Sequence, residues 1–376
     1  MSLPISKSLI YYSVTPLVNT PDTFVDQIPG LKNFLKFRKF CSSDIGVIDR
    51  TGIIKMPFKV ATKYALPVFD KNFKKDYRDC VMEAVKNLDA IHQRTGKKFR
   101  LLYSGGVDST CIFAAFVEYY GVDRASKILE IACSKDSIDE NPWVWERYIA
   151  KYNFKILSSH EHSEFWKQDV IVLMGEGNDQ IFGGLGNGYW SSFCNNENLY
   201  RPVSKDLLCE YLSYKNNIQD KDSLNYIAEK LLGVAAVSPI PITNMYMFIW
   251  WYAFALTWDG IMDRVLAQAN VERLPAHIFE SGLIQFYNTA DFQRWSMTFH
   301  YENPDRFAEN KHYKFICKQF CLSVLDIPEY IDKLKYRSMP VVQRLSQPAY
   351  MIDSDMCLLN DLKYYLDFVN TENSFT

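Results

Sequence analysis

Short apolar runs alternate with stretches of helical periodicity along the first half of the chain. The runs 99–103, 128–133 and 170–174 are mostly apolar, which is typical of strands that are buried on both faces of a parallel sheet. Helical patterns cover Lys74–Arg94 and Pro142–Tyr152. Strands that alternate with helices in this way predict an α/β fold with a parallel, doubly wound sheet.

The first apolar run ends in a turn rich in serine and glycine. Residues 104–109 read Ser-Gly-Gly-Val-Asp-Ser, and an apolar stretch follows as far as Gly121. Glycine lets the backbone approach a ligand, and N–H groups at a helix start attract anions. The spacing is neither that of a Walker loop nor that of the dinucleotide fingerprint. A plain turn is the alternative, but Asp108 and Ser109 favour phosphate and metal chemistry.

The run 170–174 also ends in glycines and acids. Residues 175–184 read Gly-Glu-Gly-Asn-Asp-Gln-Ile-Phe-Gly-Gly. Ligands bind at the carboxyl ends of parallel strands, so two such ends can face one site. Asp108 and Asp179 would then hold Mg²⁺ from opposite sides of a triphosphate. Glu176 is a candidate acid or base, with a structural carboxylate that accepts backbone N–H groups as the alternative.

The segment 104–109 resembles the pyrophosphate loop (PP-loop) of the ATP pyrophosphatase superfamily, whose members cleave ATP between the α- and β-phosphates. With residues 175–184, the chain resembles the synthetase domain of the asparagine synthetases and their relatives, the β-lactam synthetases and lasso-peptide cyclases. That family usually has glutamate at the position of Gln180. The resemblance extends over roughly residues 75–340 and implies a PP-loop sheet with a helical C-terminal part.

The resemblance also implies roles for individual residues. Glu176 would be the acid/base residue near the attacking amine, and Asp108 and Asp179 would hold Mg²⁺. Lys335, with Lys333 as the second choice, would stabilise charge over the α-phosphate; solvated lysines are the alternative for both. The residues expected to contact ATP or pyrophosphate are Tyr103, Ser104, Gly105, Gly106, Val107, Asp108, Ser109, Cys133, Met174 and Gly175.

The second half of the chain matches the family only in part. Arg273 and Pro275 fit its Glu-x-Arg-x-Pro-Phe-Leu-Asp turn, but residues 276–278 replace Phe-Leu-Asp. Residues 311–316 resemble the family's Lys-x-x-Leu-Arg helix. The stretch between the two motifs is shorter than in asparagine synthetases, and it contains His160 and His162, which we interpret as exposed polar residues. These departures leave the carboxylate substrate open.

Residues 1–73 are predicted to form a small β-rich cap of strands and turns, including Leu9–Val14, and residues 74–376 to form the synthetase-like domain. Glutamine-using asparagine synthetases begin with a glutaminase domain whose nucleophile is an N-terminal cysteine. Here residue 2 is serine and the first cysteine is Cys41. We therefore expect the nitrogen to come from ammonia, from an amine on the substrate, or from a separate ammonia-supplying subunit.

Composition narrows the class of protein. Lysine and arginine number 42 against 44 acidic residues, which gives no electrostatic basis for nucleic-acid binding. The nine cysteines form no Cys-x-x-Cys pair, and we interpret them, Cys317 and Cys321 included, as reduced thiols of a cytoplasmic protein. The start of the chain lacks a signal-peptide pattern, and Met245–Trp258 is too short to cross a bilayer. We expect no membrane association and leave an oligomer open.

The sequence thus predicts an ATP- and Mg²⁺-dependent ligase that adenylates a small-molecule or peptide carboxylate and transfers the acyl group to ammonia or an amine. Two alternatives remain. One is a nucleotide-binding sensor that keeps the cradle but has lost turnover. The other is a PP-loop enzyme that modifies tRNA or a nucleobase, although the catalytic cysteine pair and the basic extension common in those enzymes are not visible here.

Overall fold

A computed structural model describes residues 7–40, 46–158, 168–183, 196–216, 220–269, 271–278, 282–305, 314–333 and 349–371. The chain is a mixed α/β protein in which two sheets are surrounded by helices. The strands are β1 (Leu9–Tyr12), β2 (Lys98–Leu102), β3 (Leu129–Cys133), β4 (Ile156–Ser158), β5 (Val170–Met174), β6 (Leu283–Gln285), β7 (Met351–Asp353) and β8 (Leu358–Leu359).

Helices connect most successive strands and form most of the described part of the second half of the chain. The α-helices are Thr15–Val18, Asp22–Val25, Leu31–Phe40, Tyr77–Thr95, Val107–Tyr120, Val122–Ile128, Lys135–Glu140, Pro142–Val144, Asn178–Phe182, Asn196–Tyr200, Lys205–Asn216, Lys221–Ala236, Met245–Leu256, Trp258–Asp263, Ala290–Glu302 and Phe315–Leu325. A π-helical turn spans Trp145–Ile149, and 3₁₀ turns span Arg264–Gln268, Pro328–Tyr330 and Leu362–Phe368.

Five strands form an all-parallel sheet in the order β4-β3-β2-β5-β6. From β2 the chain adds β3 and β4 on one side and then crosses to add β5 and β6 on the other. The order therefore reverses between β2 and β5, which is where ligands bind in open α/β sheets. The predicted apolar runs correspond to β2, β3 and β5, which pair in parallel. Every residue of β3 and β5 is buried, as expected for inner strands.

Several predicted helices are also present. The pattern at Lys74–Arg94 corresponds to the helix Tyr77–Thr95, which begins at a capping box between Asp76 and Asp79. The helix Val107–Tyr120, here called the loop helix, ends at Gly121 as expected. The helix Met245–Leu256 is buried at all of its positions. Among the described residues, no helix combines the length and the apolar character needed to cross a membrane.

The N-terminal residues are less β-rich than the sequence suggested. β1 covers part of the predicted strand and pairs antiparallel with β7, which pairs with β8. Residues 53–56 are irregular with a single bend at Ile54, and Leu31–Phe40 is a helix that the sequence analysis missed. Its buried residues Leu31, Phe34 and Phe37 have helical spacing, but the basic residues between them obscured the apolar stripe.

We expect His300 to make the stability of the fold sensitive to acid. Its ring is fully buried, stacks on Trp250 at 4.4 Å between centroids, and pairs through Nδ1 with the Ser296 carbonyl oxygen at 2.8 Å. Burial lowers the pKa of His300 from 6.5 to about 3. At pH values between about 3 and 6.5, His300 binds a proton in the unfolded chain but not in the folded chain. Stability contributed by neutral His300 is therefore present above pH 6.5 and is lost as the pH falls.

We predict that His300→Phe weakens the pH dependence of stability, because phenylalanine can keep the stacking and cannot bind a proton. Urea unfolding between pH 6 and pH 4 is the measurement. The wild type should lose up to about 1.4 kcal/mol of unfolding free energy per pH unit more than the variant over this window. Equal slopes for the two proteins would contradict the prediction.

Candidate functional site

The turn between β2 and the loop helix has the features of an anion cradle. Ser104 Oγ accepts a hydrogen bond from Gly106 N at 3.3 Å and lies 3.2 Å from Ser109 Oγ. The loop helix begins without a side-chain cap, so its first N–H groups lack a capping side chain. Main-chain N–H groups at a helix start and two hydroxyls at one turn can bind a phosphate.

Two glycines allow the strand ends to approach their neighbours. Gly105 has φ of +73°, and a Cβ there would lie 2.2 Å from the Ser137 carbonyl oxygen. At Gly175, a Cβ would lie 3.0 Å from the Cβ of Asp108. The turn after β5 therefore lies directly against the turn after β2. The two motifs are part of one site at the reversal of strand order.

Lys314 joins the two aspartates that the sequence analysis proposed as metal ligands. Its Nζ lies 2.8 and 2.7 Å from the two carboxylate oxygens of Asp108 and 2.6 Å from Oδ1 of Asp179. Lys314 is the N-cap residue of the helix Phe315–Leu325, here called the lysine helix. Asn178 donates a further hydrogen bond from Nδ2 to Asp108 Oδ1 at 2.6 Å.

The degree of burial of Lys314, Asp108 and Asp179 determines the electrostatics of this cluster. The Lys314 side chain is 4% exposed, against 24% for Asp108 and 40% for Asp179. Burial raises the pKa of Asp108 to about 6, the ammonium of Lys314 opposes that rise, and nearby Asp179 adds to it. Two carboxylates from adjacent strand ends are a donor set that fits Mg²⁺. The ammonium of Lys314 would have to move aside for an ion that both carboxylates share.

Glu176 lies at the rim of the same site and forms an ion pair with Arg264. The Glu176 side chain is 20% exposed and that of Arg264 is 46% exposed, so both are accessible from solvent. The ion pair with the arginine orients the carboxylate, and a carboxylate can accept a proton. The sequence did not indicate this contact between Arg264 and Glu176.

The departure at Gln180 has a structural reason. Gln180 is 2% exposed, and its Nε2 donates to Thr257 Oγ1 at 3.4 Å. Within the described part of the chain, Oε1 has no hydrogen-bond donor. Burying an ionised carboxylate at this position would cost more than burying an amide. Glutamine therefore suits the surroundings of this side chain better than glutamate.

Four of the predicted nucleotide contacts have side chains that are mostly buried, and one of them is Ser109, which is 2% exposed. Tyr103 is fully buried with its hydroxyl 3.4 Å from Thr110 Oγ1, so only its main chain can face a ligand. Cys133 and Met174 end β3 and β5 and are 5% and 9% exposed. Both strand ends border the site, but these side chains chiefly pack in the core.

Lys335 lies outside the described residues, as do Gly184, His160 and His162. The segment just before Lys335 passes beside the loop. Tyr330 donates from its hydroxyl to the Gly105 carbonyl oxygen at 3.4 Å. Lys333 Nζ lies 3.9 Å from Glu140 Oε1, and Glu140 packs against Gly105. The second-choice lysine is therefore close to the turn that follows β2.

Comparisons of the chain with protein-family models, with curated proteins and with solved structures found no match. The fold and the site themselves define the class: a mixed α/β protein with an all-parallel sheet and paired carboxylates at the reversal of its strand order.

We predict that Lys314→Met destabilises the chain, because it leaves two carboxylates close together without their shared ammonium. The free energy of unfolding in EDTA should fall by about 1–3 kcal/mol, less than for a fully buried pair because Asp179 is partly exposed. Mg²⁺ should then raise the melting temperature of the variant more than that of the wild type.

Lys363→Met is the matched control. Lys363 pairs with Asp361, and its side chain is 66% exposed, so its loss should change stability by no more than about 0.5 kcal/mol. If Lys314→Met and the control unfolded alike in EDTA, the ammonium would not be holding the two aspartates together.

Proposed function

We propose that this chain is an ATP-dependent, AMP-forming carbon–nitrogen ligase of the kind found in the synthetase domain of the asparagine synthetases. It would adenylate the carboxylate of a small molecule or peptide and transfer the acyl group to ammonia or an amine. The observation that carries the proposal is the shared contact of Asp108 and Asp179 with Lys314, because it unites the phosphate-type loop and the second acidic motif in one site.

The first half-reaction requires that pyrophosphate be held as it leaves. In the proposal, main-chain N–H groups of residues 104–107 and the hydroxyls of Ser104 and Ser109 bind the β- and γ-phosphates. Asp108 and Asp179 would hold Mg²⁺, which neutralises phosphate charge. A carboxylate oxygen of the substrate attacks the α-phosphorus, the bond to the bridging oxygen breaks, and pyrophosphate leaves. Donors fixed at the phosphates would stabilise the negative charge that develops on the leaving pyrophosphate.

The second half-reaction forms the amide. An amine nitrogen attacks the activated acyl carbon, its proton passes to a base, and AMP leaves with the electrons of the broken carbon–oxygen bond. Glu176 is the proposed base, since it is accessible and is oriented by its ion pair with Arg264. Lys335, or Lys333 beside Glu140, would supply a cation near the α-phosphate. The amine source, from solution or from an ammonia-supplying partner, and a cytoplasmic location are part of the proposal.

A nucleotide sensor without turnover is the second candidate, and one observation favours it. The ammonium of Lys314 already lies between the two carboxylates, in a position where a catalytic divalent ion would compete with it. A protein that only binds ATP could use this lysine to contact the phosphates without a metal. The tRNA-modifying alternative gains no such support, because the net charge is close to zero.

The proposal is tested by the phosphate product that forms. The protein is incubated with Mg²⁺ and ATP labelled in the γ-phosphate, first with aspartate and ammonium and then with a fractionated extract and hydroxylamine as the trapping amine. We predict labelled pyrophosphate, with AMP in equal amount. ATP binding without pyrophosphate under all these conditions would favour the sensor, and labelled orthophosphate would contradict both candidates.

Two variants separate the half-reactions. Asp108→Ala should lower pyrophosphate release by about 100-fold or more, whereas Asp123→Ala, at an exposed acid in the first turn of the helix Val122–Ile128, should leave it unchanged. Glu176→Gln should release pyrophosphate but form the hydroxamate or amide more slowly. Full turnover in Asp108→Ala would overturn the metal assignment, and full amide formation in Glu176→Gln would remove Glu176 as the base.

A further inference from the structure

Three cysteines from two helices meet directly behind the phosphate loop. Cys111 lies one turn after Asp108 on the loop helix, and Cys317 and Cys321 lie one turn apart on the lysine helix. All three are fully buried, and their Sγ atoms lie within 4.8 Å of one another. The sequence analysis interpreted Cys317 and Cys321 as reduced thiols, and Cys111 is remote from both in the sequence.

The size of this triangle matches one metal ion. Zinc binds thiolate sulfur at about 2.3 Å, which places three sulfurs around one ion about 4 Å apart. Three sulfurs within 4.8 Å require only small side-chain movements to reach that spacing. Soft thiolates select zinc over the oxygen-seeking Mg²⁺, so the ion would differ from the one proposed for Asp108 and Asp179.

The surroundings of the sulfurs suit a bound ion. The Tyr77 hydroxyl lies 3.8 Å from Cys111 Sγ, and the Val107 carbonyl oxygen lies 3.7 Å from Cys317 Sγ, so an oxygen is at hand for a fourth position. Asn178 Nδ2 donates to Cys317 Sγ at 3.7 Å, as partners of metal-bound thiolates do. Lys318, which is 4% exposed, interacts electrostatically with Cys317 and Cys321. Its charge would offset the excess negative charge of three thiolates around a divalent ion.

We propose that Cys111, Cys317 and Cys321 form a structural zinc site that fixes the lysine helix against the loop helix. The consequence is positional: Lys314 and Asp108 each lie three residues before a proposed ligand on these two helices, and Asn178 contacts both Cys317 and Asp108. The ion would hold the Lys314 ammonium at the carboxylates. The inference does not rest on the proposed function, because metal binding is measured without ATP.

The test uses the full chain, unfolded with reductant and chelator and refolded anaerobically with Zn²⁺, after which loosely bound metal is removed. We expect one zinc per chain by elemental analysis, and X-ray absorption at the zinc edge should give three sulfur ligands at about 2.3 Å. Folded protein without zinc, or with a shell of nitrogen and oxygen ligands, would overturn the proposal whatever the variants do.

Cysteine variants locate the ion. Cys111→Ser and Cys317→Ser should each lower the zinc content at least tenfold, whereas Cys80→Ser, at a buried cysteine on the helix Tyr77–Thr95, should keep one zinc per chain. Circular dichroism confirms that the variants compared are folded. Equal zinc content in all folded variants would place the ion elsewhere. If no variant of the three cysteines folds, the zinc ligands seen by X-ray absorption in the wild type decide whether the proposed site exists.

Discussion

The contact of one buried ammonium with two carboxylates organises the candidate site. Lys314 reaches both carboxylate oxygens of Asp108 and one oxygen of Asp179. Without that cation, two like charges at neighbouring strand ends would repel each other in a partly desolvated position. The lysine comes from the second half of the chain, so the helical C-terminal part is required to complete a site that the sheet begins.

The sheet determines where that contact occurs. β2 and β5 are neighbours although β3 and β4 separate them along the chain, and the reversal brings two turns together. Gly175 lets the second turn pack on Asp108, and Gly105 lets the first turn pack on the helix Lys135–Glu140. Behind them, the thiol cluster of Cys111, Cys317 and Cys321 joins the loop helix to the lysine helix. The thiol cluster thus lies behind the two turns and supports them, and the turns position Asp108 and Asp179.

Local pattern was sufficient to predict the central strands, the loop helix and the buried helix Met245–Leu256. Each of these has a periodicity or an apolar run that short-range physics can interpret. The pairing of Asp108 with Asp179 was expected because parallel strand ends share an edge. The interior ion pair of Arg100 and Glu130, which occupy paired positions on β2 and β3, was not expected, because charged residues give no sign of burial in sequence.

Contacts between segments that are distant in the sequence could not be predicted from local patterns. Lys314 was recognised only within a helix resembling the family's, and nothing local indicates that its ammonium reaches Asp108. The same holds for Arg264 with Glu176 and for Cys111 with the cysteine pair of the lysine helix. β1 likewise pairs with β7 near the other end of the chain, a pairing that the sequence did not indicate. Such pairings depend on packing over the whole fold.

The most direct measurement for the central claim is a crystal structure with Mg²⁺ and an ATP analogue that has a methylene group between the α- and β-phosphates. The account predicts the β- and γ-phosphates on the main chain of residues 104–107, the ion on Asp108 and Asp179, and the Lys314 ammonium moved toward phosphate. A nucleotide bound elsewhere, with Lys314 still between the two carboxylates, would contradict the account.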